Sequence, residues 1–121
     1  MSGYTRIAFH LPEEETSINR RFAANPFVPE ETAERNRRCD EILTIQAMGL
    51  VKRLEHTHSK GAVLGISGGL DSTLALLVTA RAFDILGLDR EGITAVTMPC
   101  FGTTDRTYTN ACELTRGLGA A

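Results

Sequence analysis

The segment Ser67-Gly68-Gly69-Leu70-Asp71-Ser72 stands between an unbroken apolar run, Ala62-Val63-Leu64-Gly65-Ile66, and a second apolar stretch from Ser72 to Leu86. A run without polar alternation suits a central parallel strand covered on both faces. The stretch that follows holds Leu74, Ala75, Leu76, Leu77, Val78, Ala82, Phe83, Ile85 and Leu86. Apolar nearly all round, it reads as a helix buried against a sheet and closed by Gly87. Two adjacent glycines must therefore turn a strand into a helix within a few residues. A second strand over Ile93-Thr94-Ala95-Val96-Thr97-Met98 is stopped by Pro99. Strand, helix and strand make one βαβ unit, which should cross over right-handed. The expected class is α/β.

The flanks are consistent with that layering. Residues 1–32 hold all but one of the prolines (Pro12, Pro26 and Pro29), the run Glu13-Glu14-Glu15 and the pair Arg20-Arg21. They read as an extended connector arm with a short strand at Thr5–Phe9. Phe9, Phe22, Phe27 and Val28 are candidates for docking it onto another surface. Residues 33–121 read as helix, strand, helix, strand, helix. The first helix runs from Thr32 to about Glu55, with Glu30, Glu31 and Glu34 near the positive end of its dipole. Its apolar stripe is Cys39, Leu43, Ala47, Leu50 and Leu54, widened by Ile42, Met48 and Val51. Gly49 inside it predicts a close neighbour, since glycine costs a helix about 1 kcal/mol relative to alanine. Thr103, Thr104 and Asp105 are candidate caps for the last helix. Tyr108, Ala111, Cys112 and Thr115 share its inner face, and Gly117 and Gly119 end it.

A triphosphate needs many hydrogen-bond donors in a small space. The first amides of a helix have no internal partner, so a strand that turns sharply into a helix supplies them. Gly68 and Gly69 let the backbone approach phosphate closely, and Ser67 and Ser72 add hydroxyls. Asp71 is at odds with phosphate unless a divalent cation, Mg²⁺, stands between the two. A bare Gly-Gly pair would be explained by a tight turn with Ser72 capping the helix. The whole six-residue string in strand–loop–helix context points to nucleotide binding. The Walker A pattern and the dinucleotide fingerprint GxGxxG are both missing.

Composition narrows the classes further. Thirteen basic and fifteen acidic residues leave a net charge of -2, which is no footprint for general nucleic-acid binding. No apolar run is long enough to span a bilayer and no signal pattern opens the chain, so the cytoplasm is the expected compartment. Cys39, Cys100 and Cys112 are widely spaced and odd in number, as suits reduced thiols. His56 and His58 read as a solvated helix terminus rather than a metal pair, and Cys100 as a spectator. Arg106, opening the last helix, could equally reach phosphate or lie at the surface.

The string SGGLDS after AVLGI resembles the N-type ATP pyrophosphatases, a superfamily of NAD, GMP and asparagine synthetases and tRNA-modifying enzymes. The second strand and its sequel, Val96 to Thr107 followed by Asn110-Ala111, resemble the synthetase portion of glutamine-dependent NAD synthetases. Asn36 and Ile45-Gln46-Ala47-Met48-Gly49-Leu50 are similar to the helix leading into that portion. His10-Leu11-Pro12 and Pro26-Phe27-Val28-Pro29 resemble its connector from an upstream glutaminase domain.

The resemblance implies an adenine-nucleotide α-hydrolase-like, Rossmann-like fold, part of a doubly wound parallel sheet. It implies that ATP and Mg²⁺ are used to adenylate nicotinic acid adenine dinucleotide. Ammonia, from glutamine in the full-length enzyme, then displaces AMP to give NAD. By motif position Ser67, Gly68, Gly69, Leu70, Asp71 and Ser72 would hold pyrophosphate, with Asp71 as metal ligand and catalytic residue. Ile66, Thr97 and Met98 would border the adenosine; many relatives carry an arginine where Thr97 stands. Partners would be the glutaminase domain and a second copy in a homo-oligomer, with no nucleic acid or membrane. The family's further strands, second acidic metal ligand and dinucleotide site lie beyond residue 121, so the chain reads as an excised or truncated piece that is not expected to be active alone. Two alternatives remain at this point: another N-type enzyme, GMP synthetase-like or tRNA-modifying, and a non-catalytic nucleotide-binding or self-associating module.

Overall fold

The computed structural model describes residues 3–15, 17 and 19–121. In chain order the elements are α1 (Thr32–Thr57), β1 (Ala62–Gly65), α2 (Leu70–Leu86), a 3₁₀ turn (Arg90–Gly92), β2 (Ile93–Val96) and α3 (Asp105–Leu118). The strands pair in parallel, Ala62 opposite Ile93 and Gly65 opposite Val96. Ile66 continues the ladder by donating its N–H to the Val96 carbonyl at 2.8 Å. On the far edge of β2, Ala121 donates to the Ile93 carbonyl (2.9 Å) and accepts from the Ala95 N–H (2.8 Å).

Each helix stops for a local reason. α1 starts where the Glu31 carboxylate accepts from the N–H groups of Ala33 and Glu34 at 3.2 and 3.1 Å. It ends at His58, whose left-handed backbone (φ 54°) lets its N–H and that of Ser59 close on the last carbonyls. Gly87 and Gly119 close α2 and α3 in the same left-handed conformation, φ 65° and 73°. α3 begins at Thr104, whose hydroxyl accepts from the Thr107 N–H.

The core forms where α2 and α3 meet one face of the strand pair. Leu76, Ala80 and Phe83 of α2, Ile93 of β2, Ile66, Leu54 of α1 and Ala111 of α3 are buried together. Phe83, Leu76 and Ile93 are its largest fully buried side chains; each stabilises the fold by about 1.5–3 kcal/mol relative to leaving it exposed. α1 lies on α2 through Ala47, Val51 and Ala82, where the two alanines let the helices approach. Half-buried Arg81 meets exposed Asp40 at 3.4 Å on the same seam.

Several expectations are corrected. The strand pair is covered on one face only: Val63, Gly65, Thr94 and Val96 on the other are exposed, because every helix packs on the Ala62–Ile93 side. α2 is accordingly not buried all round, and Leu70, Leu74, Leu77 and Ile85 face outward. It begins at Leu70 with Gly69 as its cap, so Ser72 is not the capping residue. β1 and β2 stop at Gly65 and Val96, short of the expected Ile66 and Met98, and α1 runs past Glu55 to Thr57. Gly49 has open space around its Cβ direction rather than a close neighbour. The α1 stripe is buried only from its middle onward, leaving Cys39, Ile42 and Met48 exposed. Tyr108 is also exposed, and Gly117 lies inside α3 rather than ending it.

No strand forms at Thr5–Phe9, and Phe9, Phe22, Phe27 and Val28 are exposed rather than docked on this chain. Residues 1, 2, 16 and 18 of the arm lie outside the described residues. A parallel α/β sheet is present; double winding is not seen among the described residues.

Candidate functional site

The glycine loop leaves β1 at Ile66, buried to 3% exposure, and enters α2 at Leu70. Gly68 has φ +82°, a conformation that side-chain-bearing residues rarely adopt. A Cβ there would also collide with the Thr107 backbone, its carbonyl carbon 2.8 Å and its Cα 3.1 Å away. The loop thus needs glycine twice over, for its torsion and for the close approach of α3.

The two serine hydroxyls brace the loop from inside. The Ser72 hydroxyl donates to the Gly69 carbonyl at 3.1 Å and accepts from the Ser67 N–H at 3.3 Å. The Ser67 hydroxyl accepts from the Gly69 N–H at 3.2 Å and lies 3.1 Å from the Ser72 oxygen. With the Ser72 proton on Gly69, the Ser67 proton is the one shared between the hydroxyls. These bonds hold the loop's shape.

The turn into α2 also offers backbone amides as donors. The caps of α1, α3 and the 3₁₀ turn each place a side-chain oxygen on the first helical N–H groups, from Glu31, Thr104 and Asp89. Gly69 has no side chain to offer, and α2 begins without any side-chain cap. The amides of its first turn, at Leu70, Asp71 and Ser72, keep both their partial positive charge and their hydrogen-bonding capacity.

Two grooves flank this turn. One, of about 690 Å³, is lined by Ile66, Ser67 and Gly69 on the β1 side and by Val96, Thr97, Met98, Cys100 and Thr103 on the β2 side. The other runs between the loop and α3, along Gly68, Gly69, Leu70, Thr73, Arg106 and Asn110. Thr107 borders both. The sequence-predicted residues Ile66, Ser67, Gly69, Thr97 and Met98 thus share one groove, and Gly68 and Leu70 open on the other. Ser72 acts from within the loop. Asp71, exposed in the first turn of α2, lines neither groove.

Among the described residues no group of three or more His, Cys, Asp or Glu side chains could hold a metal by itself. The donor set still fits Mg²⁺ of the kind held by one or two carboxylates, waters and substrate phosphates, with Asp71 as the carboxylate. It does not fit an all-protein metal cage.

Beyond the glycine loop, the residues that sequence reasoning underused are Thr104 and Thr107. Two threonines three apart at a helix start were a legible capping signal, but their approach to Gly68 was not. Cys100 is exposed at the mouth of the first groove. The Gly102 N–H, and after it the Thr103 hydroxyl, lower its thiol pKa by hydrogen bonding to sulfur.

A family model described as NAD synthase matches residues 42–121. The chain is 44% identical over 118 residues to the glutamine-dependent NAD(+) synthetase of Mycobacterium leprae. It is 39% identical over 118 residues to that of Mycobacterium tuberculosis. In both cases 96% of this chain aligns with 17% of the relative, so the chain spans about a sixth of their length. An NH(3)-dependent NAD(+) synthetase of Aeropyrum pernix is 44% identical over 71 residues, 58% of this chain and 23% of that protein.

Proposed function

This chain belongs to the NAD synthase family, and we propose that it is the ATP-binding part of an enzyme that makes NAD from nicotinic acid adenine dinucleotide, ATP and ammonia. The observation that carries this reading is the uncapped first turn of α2 behind Gly68-Gly69, with a groove beside Gly69 that Thr97 and Met98 also line. That groove lies beyond the carboxyl ends of two parallel strands, where ligands of open α/β sheets bind. The parallel pair, with Ala121 hydrogen-bonded along the other edge of β2, supports assignment to a doubly wound sheet of the adenine-nucleotide α-hydrolase type.

In this proposal the adenosine lies along Ile66, Thr97 and Met98. The β- and γ-phosphates sit on the amides of Leu70, Asp71 and Ser72, with the Ser67 and Ser72 hydroxyls keeping the loop in place. The nicotinate carboxylate attacks the α-phosphate, and the bond to the departing pyrophosphate breaks. Negative charge accumulates on that pyrophosphate, where fixed amide dipoles stabilise it without reorganising. Ammonia then attacks the activated carboxyl carbon and AMP leaves. Asp71 would hold Mg²⁺ against the pyrophosphate, and the bound cation would neutralise part of its charge.

The proposal extends to glutamine as ammonia source through a glutaminase domain, to homo-oligomeric assembly and to a cytoplasmic setting. Residues 1–32 would be the connector and residues 33–121 the first part of the synthetase domain. Among the described residues no helix is long and apolar enough to cross a membrane.

The test is to incubate the full gene product with nicotinic acid adenine dinucleotide, Mg-ATP and ammonia, and to follow NAD, AMP and pyrophosphate. Equal formation of the three is expected. ATP consumption that ignores the dinucleotide would point to another N-type ligase. Binding of ATP without turnover on any acceptor would point to a non-catalytic module.

A further inference from the structure

We infer that Thr104 is a positioning residue for the phosphate loop: by locking the first turn of α3 it holds the Thr107 carbonyl against Gly68 and keeps the loop amides in register. The inference rests on the pyrophosphate reading of the loop and adds to it a support from outside the glycine motif.

The geometry runs from one backbone to the other through few atoms. Gly68 presents the open side of its left-handed torsion to the Thr107 carbonyl, with no room for even a methyl group between them. Any movement of Thr107 toward α2 must push on Gly68, and any movement away removes the wall that backs it.

Thr107 is held in turn by Thr104. Its N–H donates to the Thr104 hydroxyl oxygen at 3.3 Å, and its own hydroxyl donates to the Thr104 carbonyl at 2.8 Å. The two hydroxyl oxygens are 3.1 Å apart. Since the Thr107 proton is engaged by the carbonyl, the Thr104 hydroxyl is the donor between them. The Tyr108 N–H donates to the same Thr104 carbonyl at 3.1 Å. Residue 104 is thus the point from which the first turn of α3 is tied.

The tie continues into the wall of the nucleotide groove. Immediately before Thr104, the Thr103 N–H donates to the Cys100 carbonyl at 2.8 Å, and the Cys100 N–H donates to the Thr103 hydroxyl at 2.9 Å. Cys100, Gly102 and Thr103 line the groove opposite Ile66 and Ser67. A nucleotide resting on that wall would therefore press on the same turn that backs the phosphate loop. Amides that bind an anion as a set depend on mutual placement, and small displacements of such groups are costly.

The experiment compares Thr104→Val, Thr104→Gly and Thr104→Ser in the full gene product. Valine keeps the shape and loses the hydroxyl. Glycine also loses it, yet is a tolerated helix cap, so it keeps the test alive if the valine variant does not fold. The readouts are the Kd for Mg-pyrophosphate by calorimetry and the KM for ATP against the KM for ammonia. The valine variant should bind pyrophosphate and ATP about fivefold more weakly, the order expected for losing a cap's hydrogen bonds, and the glycine variant more weakly by a smaller, measurable factor, with the KM for ammonia unchanged in both. Serine, which restores the hydroxyl, should return both constants to within about twofold of the wild type. Wild-type affinity in the valine and glycine variants, or failure of serine to restore it, would overturn the inference. A wild-type protein that does not bind Mg-pyrophosphate would instead overturn the phosphate reading beneath it.

Discussion

Arg90 holds Asp84 through two side-by-side hydrogen bonds, from Nε at 2.8 Å and Nη2 at 2.7 Å, while its Nη1 donates to the Leu118 carbonyl at 3.1 Å. One guanidinium therefore ties the last turn of α2 and the end of α3 to the turn that leads into β2. The Asp84 pKa is lowered chiefly by the hydrogen bonds from Arg90, against a smaller opposing effect of burial, with the charges of Arg90 and Arg81 adding to the lowering. A carboxylate whose folded pKa is depressed stabilises the protein above its unfolded pKa, about 3.9, and loses that contribution as pH falls through the folded value. Both side chains are more than a third exposed, so solvent screening limits the ion pair. Arg90→Ala should cost about 1 kcal/mol at pH 7, most of it from the paired hydrogen bonds. Urea unfolding at pH 7 and again below pH 3 checks this: the gap between wild type and variant should narrow in acid. A gap of undiminished size would show that Asp84 is not the partner that matters.

Gly68→Ala should damage the loop more than its one methyl group suggests. The positive φ alone costs about 1–2 kcal/mol for an L-residue, and the methyl must also displace the Thr107 backbone. Lower thermal stability and loss of Mg-pyrophosphate binding are expected together. By contrast, Gly49→Ala in α1 meets open space and should stabilise the helix by about 1 kcal/mol. Paired melting curves of the two variants would test both signs at once.

Asp71→Ala should abolish adenylation in the full gene product while leaving the fold intact, because the side chain is exposed and makes no packing contact in the core. Asp71→Asn keeps the shape and removes the charge, and should also lose most activity if the carboxylate carries Mg²⁺. The measurement is pyrophosphate release at several Mg²⁺ concentrations, with circular dichroism as the fold control. Near-normal turnover in the alanine variant would remove Asp71 from the mechanism.

The 121-residue chain should self-associate. β1 pairs with β2 on one edge, and no other strand lies beside it among the described residues. Val63 is 75% exposed on the bare sheet face. Unpaired strand edges beside apolar side chains recruit other chains. Light scattering should show apparent mass rising with concentration, and Val63→Lys should suppress the rise. A concentration-independent monomer with strongly protected amides at residues 62–66 would mean that this edge is covered in solution.

Much of the layout was readable because its causes are local. The apolar run at Ala62–Ile66 reads as a strand, and Gly87 and Gly119 fall at helix ends because left-handed closure favours glycine. Thr104 was legible as a cap candidate, and SGGLDS as a strand-to-helix turn. The errors came where local pattern was asked for tertiary answers. An apolar strand was read as covered on both faces, yet which face is covered depends on where α1, α2 and α3 pack. Gly49 was read as marking a close neighbour, but a glycine in a helix carries no information about what lies beside it.

The sequence by itself determined the order of the helices and strands from α1 to α3, the turn from β1 into α2 and the amides that turn exposes, since these follow from torsions and hydrogen bonds among near neighbours. Only the tertiary structure decided that Thr107 backs Gly68, that the serine hydroxyls face into the loop, and that Thr97 and Met98 line one groove with Ile66. Those relationships require the α2 crossover to set β2 beside β1 and the chain after β2 to return α3 over the loop. They arise from burying Phe83, Leu76 and Ile93 in one shared core, a condition on packing that no stretch of neighbouring residues specifies alone.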